Sequence, residues 1–153
     1  RVAIRASLDA AFEGPAEGLL VERLVRDGDA VLDLVATQEG EVVGHILFSR
    51  LCVEDKGTAF DAVALAPLAT RPDRQRTGIG TALVENAHHL LREAGERLSV
   101  VLGDPAYYGR FGYAHHRAAG FDCQWQGEAL QALAWGSAPA AGRLVYAQAF
   151  ADL

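Results

Sequence analysis

Two glycines and a cluster of arginines near the middle of this sequence form a pattern that binds phosphate. Gly78 and Gly80 stand one residue apart, directly after a loop that carries Arg71, Arg74 and Arg76. The residues that follow have apolar positions at helical spacing, so a helix is predicted to begin at the glycines. Its first N–H groups and its dipole would attract an anion, and the guanidinium groups would add positive charge.

Two common phosphate-binding motifs do not fit this corner. The chain has no Gly-Lys-Ser or Gly-Lys-Thr after the glycines, which excludes a P-loop. A dinucleotide-binding fingerprint would need a third small residue at position 83, where the sequence has Leu83. It would also need a strand that runs directly into the glycines, whereas here a loop intervenes. The corner is therefore a different kind of phosphate site.

Composition and charge restrict the classes of partner. The net charge is −6 over 153 residues, which argues against nucleic acid as the main partner. No apolar run approaches the roughly 18–20 residues that span a bilayer, so no membrane partner is expected. Cys52 and Cys123 lack metal-ligand spacing and are interpreted as buried thiols, which predicts a cytoplasmic location and no metal site.

The elements around the corner are predicted to form one α/β domain over residues 1–153. Helical spacing predicts helices at residues 1–12 and 16–26. A period of two then predicts three antiparallel strands joined by tight turns, at residues 31–36, 42–49 (continuing to 53) and 60–68.

The second half of the chain is predicted to complete the sheet. An amphipathic helix follows Gly80 and ends at Gly95, and residues 98–102 form a buried parallel strand. Asp104 is predicted to cap a short helix that opens with Pro105 and ends at Gly112. Strands are then predicted at residues 120–125 and 143–150, with a helix-like segment at 128–135 between them.

Three segments resemble, in order and spacing, the GCN5-related N-acetyltransferase (GNAT) family. They are the strand that ends at residues 68–70, the Gln-x-x-Gly-x-Gly at 75–80, and the aromatic-Tyr-x-x-x-Gly-aromatic segment at 107–113. The resemblance implies the acyl-CoA N-acyltransferase fold, with a mixed sheet of about six to seven strands, a central splay and flanking helices. It also implies acetyl-CoA as cosubstrate. The family's usual first strand would precede Ile4, so it is expected to be absent from this sequence or supplied by residues outside it.

The resemblance assigns the cofactor-binding residues. Backbone groups at the strand end would bond the pantetheine arm, and backbone N–H groups at the glycines would hold the pyrophosphate. The predicted set is Leu68, Ala69, Thr70, Gln75, Arg76, Thr77, Gly78, Ile79, Gly80 and Thr81. Pro67 cannot donate a ladder hydrogen bond, so it indicates a bulge, or the start of the splay that would admit the thioester.

The resemblance also suggests which residues move protons. Tyr108 occupies the family position that donates a proton to the departing thiolate, and its neighbour Tyr107 is predicted to face the core. Asp61 is the predicted general base, because relatives often place a carboxylate on that strand. Glu54 and His45 on neighbouring strands are alternatives, and water is a third.

Two pairs of adjacent histidines are the remaining side chains that could bind a metal or transfer a proton. The spacing of His88 and His89 does not suit a metal, and both are predicted to lie on the helix surface. His115 and His116 are predicted to form an exposed loop pair.

The predicted activity is transfer of an acetyl group from acetyl-CoA to a primary amine, by direct transfer in a ternary complex. The acceptor would be a small molecule or a peptide, and a homodimer is compatible with the resemblance. The alternatives are an acyl-CoA-binding module without turnover and a nucleotide- or phosphate-binding protein that shares only the corner.

Overall fold

A seven-stranded mixed sheet organises the computed structural model, which describes residues 16–70 and 78–152. Its strands are β1 (Ala30–Gln38), β2 (Glu41–Asp55), β3 (Thr58–Thr70), β4 (Leu98–Leu102), β5 (Gly120–Asp122), β6 (Leu130–Ala134) and β7 (Ala141–Val145). The strand order is β5-β7-β2-β3-β4-β6, with β1 beside β2. The helices are α1 (Ala16–Arg26), α2 (Ile79–Glu93), α3 (Pro105–Tyr108) and α4 (His115–Ala118), with 3₁₀ turns at Gly109–Phe111 and Gln148–Asp152. This architecture confirms the predicted fold class, whereas the helix predicted at residues 1–12 lies outside the described residues.

The first three strands form the predicted antiparallel meander. Two-residue turns join them, because Gln38 pairs with Glu41 in the first hairpin and Asp55 pairs with Thr58 in the second. The central residues of both turns have positive φ, with 53° and 80° in the first and 50° and 83° in the second. Such turns match the twist of antiparallel strands and favour a glycine at the second position. The second strand is a single element of 15 residues, longer than predicted.

A crossover through α2 makes β3 and β4 parallel, as predicted. Their pairing covers only residues 63–65 of β3 and 99–101 of β4. One face of α2 is buried against the sheet, through Ile79, Leu83, Val84, Ala87 and Leu91. The opposite side of the sheet carries a smaller core, in which Val21 and Leu24 of α1 pack with Leu47, Ala69 and Phe150.

The helix-like segment predicted at residues 128–135 is wrong, because the chain there forms β6. This strand pairs antiparallel with β4 from Leu98–Ala134 to Leu102–Leu130. Leucine, alanine and glutamine favour helices in isolation, but a run of five residues is too short to hold a helix, and pairing with a buried strand overrides that preference. Both neighbouring strands are also shorter than predicted, because β5 ends at Asp122 and the chain after β7 turns into a 3₁₀ helix.

The prediction that His88 lies on the helix surface is also wrong, whereas His89 is exposed. The ring of His88 is half-buried, with the ring centroids of Phe48, Phe111, Tyr113 and Trp135 between 5.1 and 6.4 Å away. Its Nε2 lies 2.9 Å from the Tyr113 hydroxyl. Burial, with a smaller contribution from Arg92, lowers the pKa of His88 to about 4. The imidazole is therefore neutral at pH 7.

Acidification should destabilise the protein through His88. In the unfolded chain this imidazole takes up a proton near its ordinary pKa of about 6.5, whereas in the folded protein it does so only near about 4. Stability is therefore lost as the pH falls through this interval. We expect His88→Gln to reduce the decrease in unfolding free energy between pH 7 and pH 4.5, measured by urea denaturation. The matched variant His89→Gln should show the same decrease in unfolding free energy as the wild type. An equal decrease in His88→Gln would contradict the lowered pKa of His88.

Candidate active site

The sheet opens where β3 carries an extra residue at Pro67. Between the pairs Ile46–Leu68 and Phe48–Leu65, β3 has one residue more than β2. This irregularity is a β-bulge, and a proline fits it because proline has no N–H to donate to the ladder. Beyond Leu65, β3 no longer pairs with β4. The bulge and the opening that Pro67 predicts are both present.

A cavity of about 360 Å³ occupies this opening, and we call it the splay cavity. Residues 64–68 of β3 and 100–102 of β4 form two of its sides, and Tyr108 of α3 and Leu20 of α1 also line it. Three aromatic side chains, Trp125, Tyr146 and Phe150, also line it. The described residues that line the cavity include no charged side chain. It can therefore hold an apolar group or a neutral reacting centre.

A second pocket, of about 540 Å³, lies at the N-terminus of α2, and we call it the phosphate pocket. It is lined by Leu68, Thr70, Gly78, Gly80, Thr81, Tyr107 and Arg110. Gly78 precedes α2 with φ 86°, and among residues 16–70 and 78–152 no side chain caps the first N–H groups of the helix. Those donors and the Arg110 guanidinium can bind an anion. Leu68 also lines the splay cavity, so one extended ligand can occupy both sites.

Tyr107 faces the phosphate pocket, so its predicted place in the core is wrong. A Cβ added to Gly80 would lie 2.8 Å from the Tyr107 hydroxyl, so glycine is required there for the close approach. Burial raises the pKa of Tyr107, and Arg110 and a hydrogen bond with Thr81 oppose this. The hydroxyl therefore stays protonated and available to a ligand.

Arg110 is a candidate site residue that the sequence prediction missed. One of its terminal nitrogens donates to the Thr81 hydroxyl at 3.3 Å, and its guanidinium lies 5.5 Å from the centre of the Tyr107 ring. The spacing of three residues between Tyr107 and Arg110 in the sequence could have indicated that the arginine lies beside the tyrosine. Residues three apart lie on the same face of a helical turn, so an arginine follows the tyrosine into the pocket.

Tyr108 lies on the other side of α3, in the wall of the splay cavity. Its ring packs edge-on against Tyr107 and Tyr113, at centroid distances of 5.0 and 5.9 Å. Burial is the main reason that its pKa is raised to about 12. The hydroxyl therefore carries its proton at neutral pH and can donate a hydrogen bond into the cavity.

The three side chains considered as the general base do not line the splay cavity. Asp61 is exposed, on a part of β3 that precedes the pairing with β4. Glu54 is exposed and forms an ion pair with Arg143. His45 is fully buried and bonds Asp33. Their role in proton removal stays a prediction, and their positions do not bring them to the cavity.

The predicted cofactor-binding residues fall into three groups. Five of them line the phosphate pocket: Leu68, Thr70, Gly78, Gly80 and Thr81. The side chains of Ala69 and Ile79 are buried in the two cores, which leaves only their backbone for a ligand. Gln75, Arg76 and Thr77 lie outside the described residues, as do Arg71 and Arg74.

The second histidine pair lies on α4 and not in the predicted loop. His116 is exposed, but His115 is half-buried and its Nδ1 lies 3.0 Å from the Leu130 carbonyl oxygen. Within residues 16–70 and 78–152 no group of three or more histidine, cysteine or acidic side chains could hold a metal ion. In the same ranges, no helix has both the length and the apolar character needed to cross a bilayer.

Comparisons with known proteins identify the family to which this fold belongs. The family model described as "Acetyltransferase (GNAT) domain" matches residues 3–116. The chain belongs to the GNAT acetyltransferase family. It is 41% identical over 128 residues to YhbS of Escherichia coli K12, named an uncharacterized N-acetyltransferase, across 81% of this chain and 74% of YhbS. The family makes the protein an acyltransferase.

Solved structures give the same result. The structure of Escherichia coli YhbS in complex with CoA matches with a TM-score of 0.85 and 34% identity, over 97% of this chain and 85% of that one. A GNAT acetyltransferase from Brucella melitensis in complex with acetyl-CoA matches with a TM-score of 0.81 and 34% identity, over 97% and 90% of the two chains. Both relatives share the fold over nearly the whole length of this chain.

The position of Tyr108 depends on the absence of a side chain at Gly103. A Cβ added there would lie 2.5 Å from the Tyr108 ring, closer than real contacts allow. We expect Gly103→Ala to lower the free energy of unfolding by about 1–3 kcal/mol, as overpacking does. Gly109, with φ −57° and no atom near an added Cβ, is the matched control. Gly109→Ala should raise stability by about 0.5–1 kcal/mol. Urea denaturation measures both changes in unfolding free energy. Equal changes in the two variants would contradict the close contact between Gly103 and the Tyr108 ring.

Proposed function

We propose that this protein transfers an acetyl group from acetyl-CoA to the primary amine of a small molecule or peptide, directly within a ternary complex. The observation that carries the proposal is the position of Tyr108, a protonated hydroxyl in the wall of a cavity that adjoins a phosphate pocket at Leu68. The relatives solved with CoA and with acetyl-CoA support this choice of donor.

The donor would lie along the two connected sites. Its pyrophosphate would bind the uncapped first turn of α2 and Arg110, and Gln75, Arg76 and Thr77 are predicted to add contacts. Its pantetheine arm would pass Leu68 and reach the splay cavity. There, a backbone N–H that the bulge withdraws from the ladder would polarise the thioester carbonyl and stabilise negative charge on its oxygen.

The reaction in the cavity needs a neutral amine and a stabilised leaving thiolate. The amine nitrogen attacks the thioester carbon, the C–N bond forms, and the C–S bond breaks. Tyr108 would hydrogen-bond the departing sulfur and supply its proton, and because a thiolate leaves readily, a weak acid suffices. The amine proton is lost to water or to a base, for which Asp61 stays the sequence-based prediction.

Direct transfer is favoured because no cysteine is available to carry the acetyl group. The chain has two cysteines, Cys52 and Cys123, and neither lines the splay cavity. Nucleic acid is not the expected acceptor of a protein with net charge −6. The homodimer and the cytoplasmic location stay predictions.

Thiol release from acetyl-CoA in the presence of a panel of amines tests the proposed function. Turnover with at least one amine, together with thermal stabilisation by acetyl-CoA but not by ATP or NAD, is the expected result. Stabilisation without turnover would indicate an acyl-CoA-binding module. Preference for a nucleotide that lacks CoA would overturn the donor assignment.

Replacing Tyr108 by Phe should lower kcat by about 100-fold and leave the Kd for acetyl-CoA within about twofold, because only proton donation is lost. Rapid-mixing measurement of thiol release gives the first quantity, and calorimetry gives the second. Tyr107→Phe is the matched control, since that hydroxyl faces the phosphate pocket, and it should affect acetyl-CoA affinity more than kcat. An unchanged kcat in Tyr108→Phe would remove this residue from the mechanism.

Replacing Arg110 by Gln should weaken CoA binding by about tenfold, because the pocket loses a charge-assisted contact to a phosphate. Arg92→Gln removes an equal charge near the other end of α2 and should leave the affinity unchanged. Calorimetric titration with CoA at two salt concentrations distinguishes the variants. Equal affinities of Arg110→Gln and Arg92→Gln for CoA would contradict the binding of the CoA phosphates in the pocket beside Arg110.

A further inference from the structure

We infer that the acceptor is a weakly basic primary amine joined to an aromatic or branched aliphatic group, and that this group packs against Trp125, Tyr146 and Phe150. The inference rests on the proposed function, because it assigns the part of the splay cavity that an acetyl group would leave free.

The three aromatic side chains form a continuous wall. The rings of Trp125 and Tyr146 meet edge to face at 5.0 Å and 81°, and those of Tyr146 and Phe150 at 5.7 Å and 62°. They come from the segment after β5, the segment after β7 and the last 3₁₀ turn. Phe150 is only 6% exposed and packs in the core under α1, which fixes the wall in place. A preformed aromatic wall binds apolar groups at little entropic cost.

The same cavity contains both Tyr108 and the aromatic wall. An acetyl group is about as large as two water molecules, each of which takes about 30 Å³ in the liquid. The end of the pantetheine arm also enters this cavity of about 360 Å³, and the space beside the aromatic wall remains for the acceptor. An amine that reaches the thioester beside Tyr108 must place the rest of its structure in this space, against aromatic and aliphatic surfaces.

The absence of charge from the described lining residues selects the basicity of the amine. A lysine or polyamine ammonium would lose its hydration there without gaining a carboxylate partner. An α-amino group has a pKa of about 7.7–8.0, against about 10.4 for lysine, so a far larger fraction is neutral near pH 8. The cavity therefore favours α-amino groups and similarly weak bases.

Charged residues stand outside this cavity, in an adjoining groove of about 490 Å³. Trp125, Tyr146 and Phe150 also line this groove, which contains Asp122 and Arg143. Polar parts of the acceptor can extend into the groove while its apolar part contacts the wall. Hence the class includes amides and peptides with an apolar N-terminal residue.

Three amines with the same reacting group test the inference. Phenylalaninamide and leucinamide should have kcat/KM values about 10- to 100-fold above that of glycinamide, since only the first two place a large side chain on the wall. Spermidine and Nα-acetyllysinamide should be poorer than phenylalaninamide at pH 8. Equal rates for glycinamide and phenylalaninamide, or a preference for spermidine, would overturn the inference and leave acetyl transfer standing.

The two tryptophans of the chain provide matched variants. Trp125→Leu should lower the ratio of kcat/KM for phenylalaninamide to kcat/KM for glycinamide by about tenfold. Trp135→Leu changes a tryptophan that packs beside His88, away from the cavity, and should preserve the preference for phenylalaninamide. Equal preference in both variants would contradict the proposed contact.

A binding measurement separates this inference from the proposed function. In Trp135→Phe the remaining tryptophan is Trp125, and phenylalaninamide added to the CoA complex should change its fluorescence at concentrations where glycinamide does not. If no amine is acetylated but this difference is seen, the proposed function fails and the apolar site stands. If neither amine changes the fluorescence, or if phenylalaninamide and glycinamide change it equally, the inference fails even if acetyl transfer is observed.

Discussion

The parting of β3 from β4 is the constraint on which the rest of the structure depends. Parallel strands normally continue their ladder, but the bulge at Pro67 ends it after three pairs. The two strands then diverge, and the space between them becomes the splay cavity. Because β3 continues to Thr70, its end also reaches the N-terminus of α2. One irregular proline position therefore connects the phosphate pocket to the splay cavity.

Features set by a few neighbouring residues could be predicted from the sequence. The two-residue hairpins follow from Glu39–Gly40 and Lys56–Gly57, and the cap of α3 follows from Asp104, whose carboxylate accepts the Ala106 N–H at 3.0 Å. The spacing of the apolar residues in α2 predicts which face of the helix is buried, because that face packs on the sheet. In each case the preference for the conformation comes from residues close together in the chain, so the sequence pattern is enough to predict it.

Features set by distant partners could not be predicted. The strand β6 exists because β4 offers it a ladder, and nothing within residues 130–134 favours strand over helix. Tyr107 is in the phosphate pocket because Gly80 on α2, distant in the chain, leaves room for its hydroxyl. His88 likewise has its neighbours on β2, beyond α3 and just after β6, so its burial has no local signature.

In the proposed reaction, a single physical cause sets both protonation states that the chemistry needs. Removal from water disfavours every charged form in the splay cavity. This raises the pKa of Tyr108, which stays a proton donor, and it lowers the pKa of an entering amine, which becomes a nucleophile. A carboxylate base in the wall would oppose both effects, because its charge would stabilise the ammonium and would itself need a partner. The separation of Asp61, Glu54 and His45 from the cavity is therefore consistent with a site that deprotonates its substrate by desolvation.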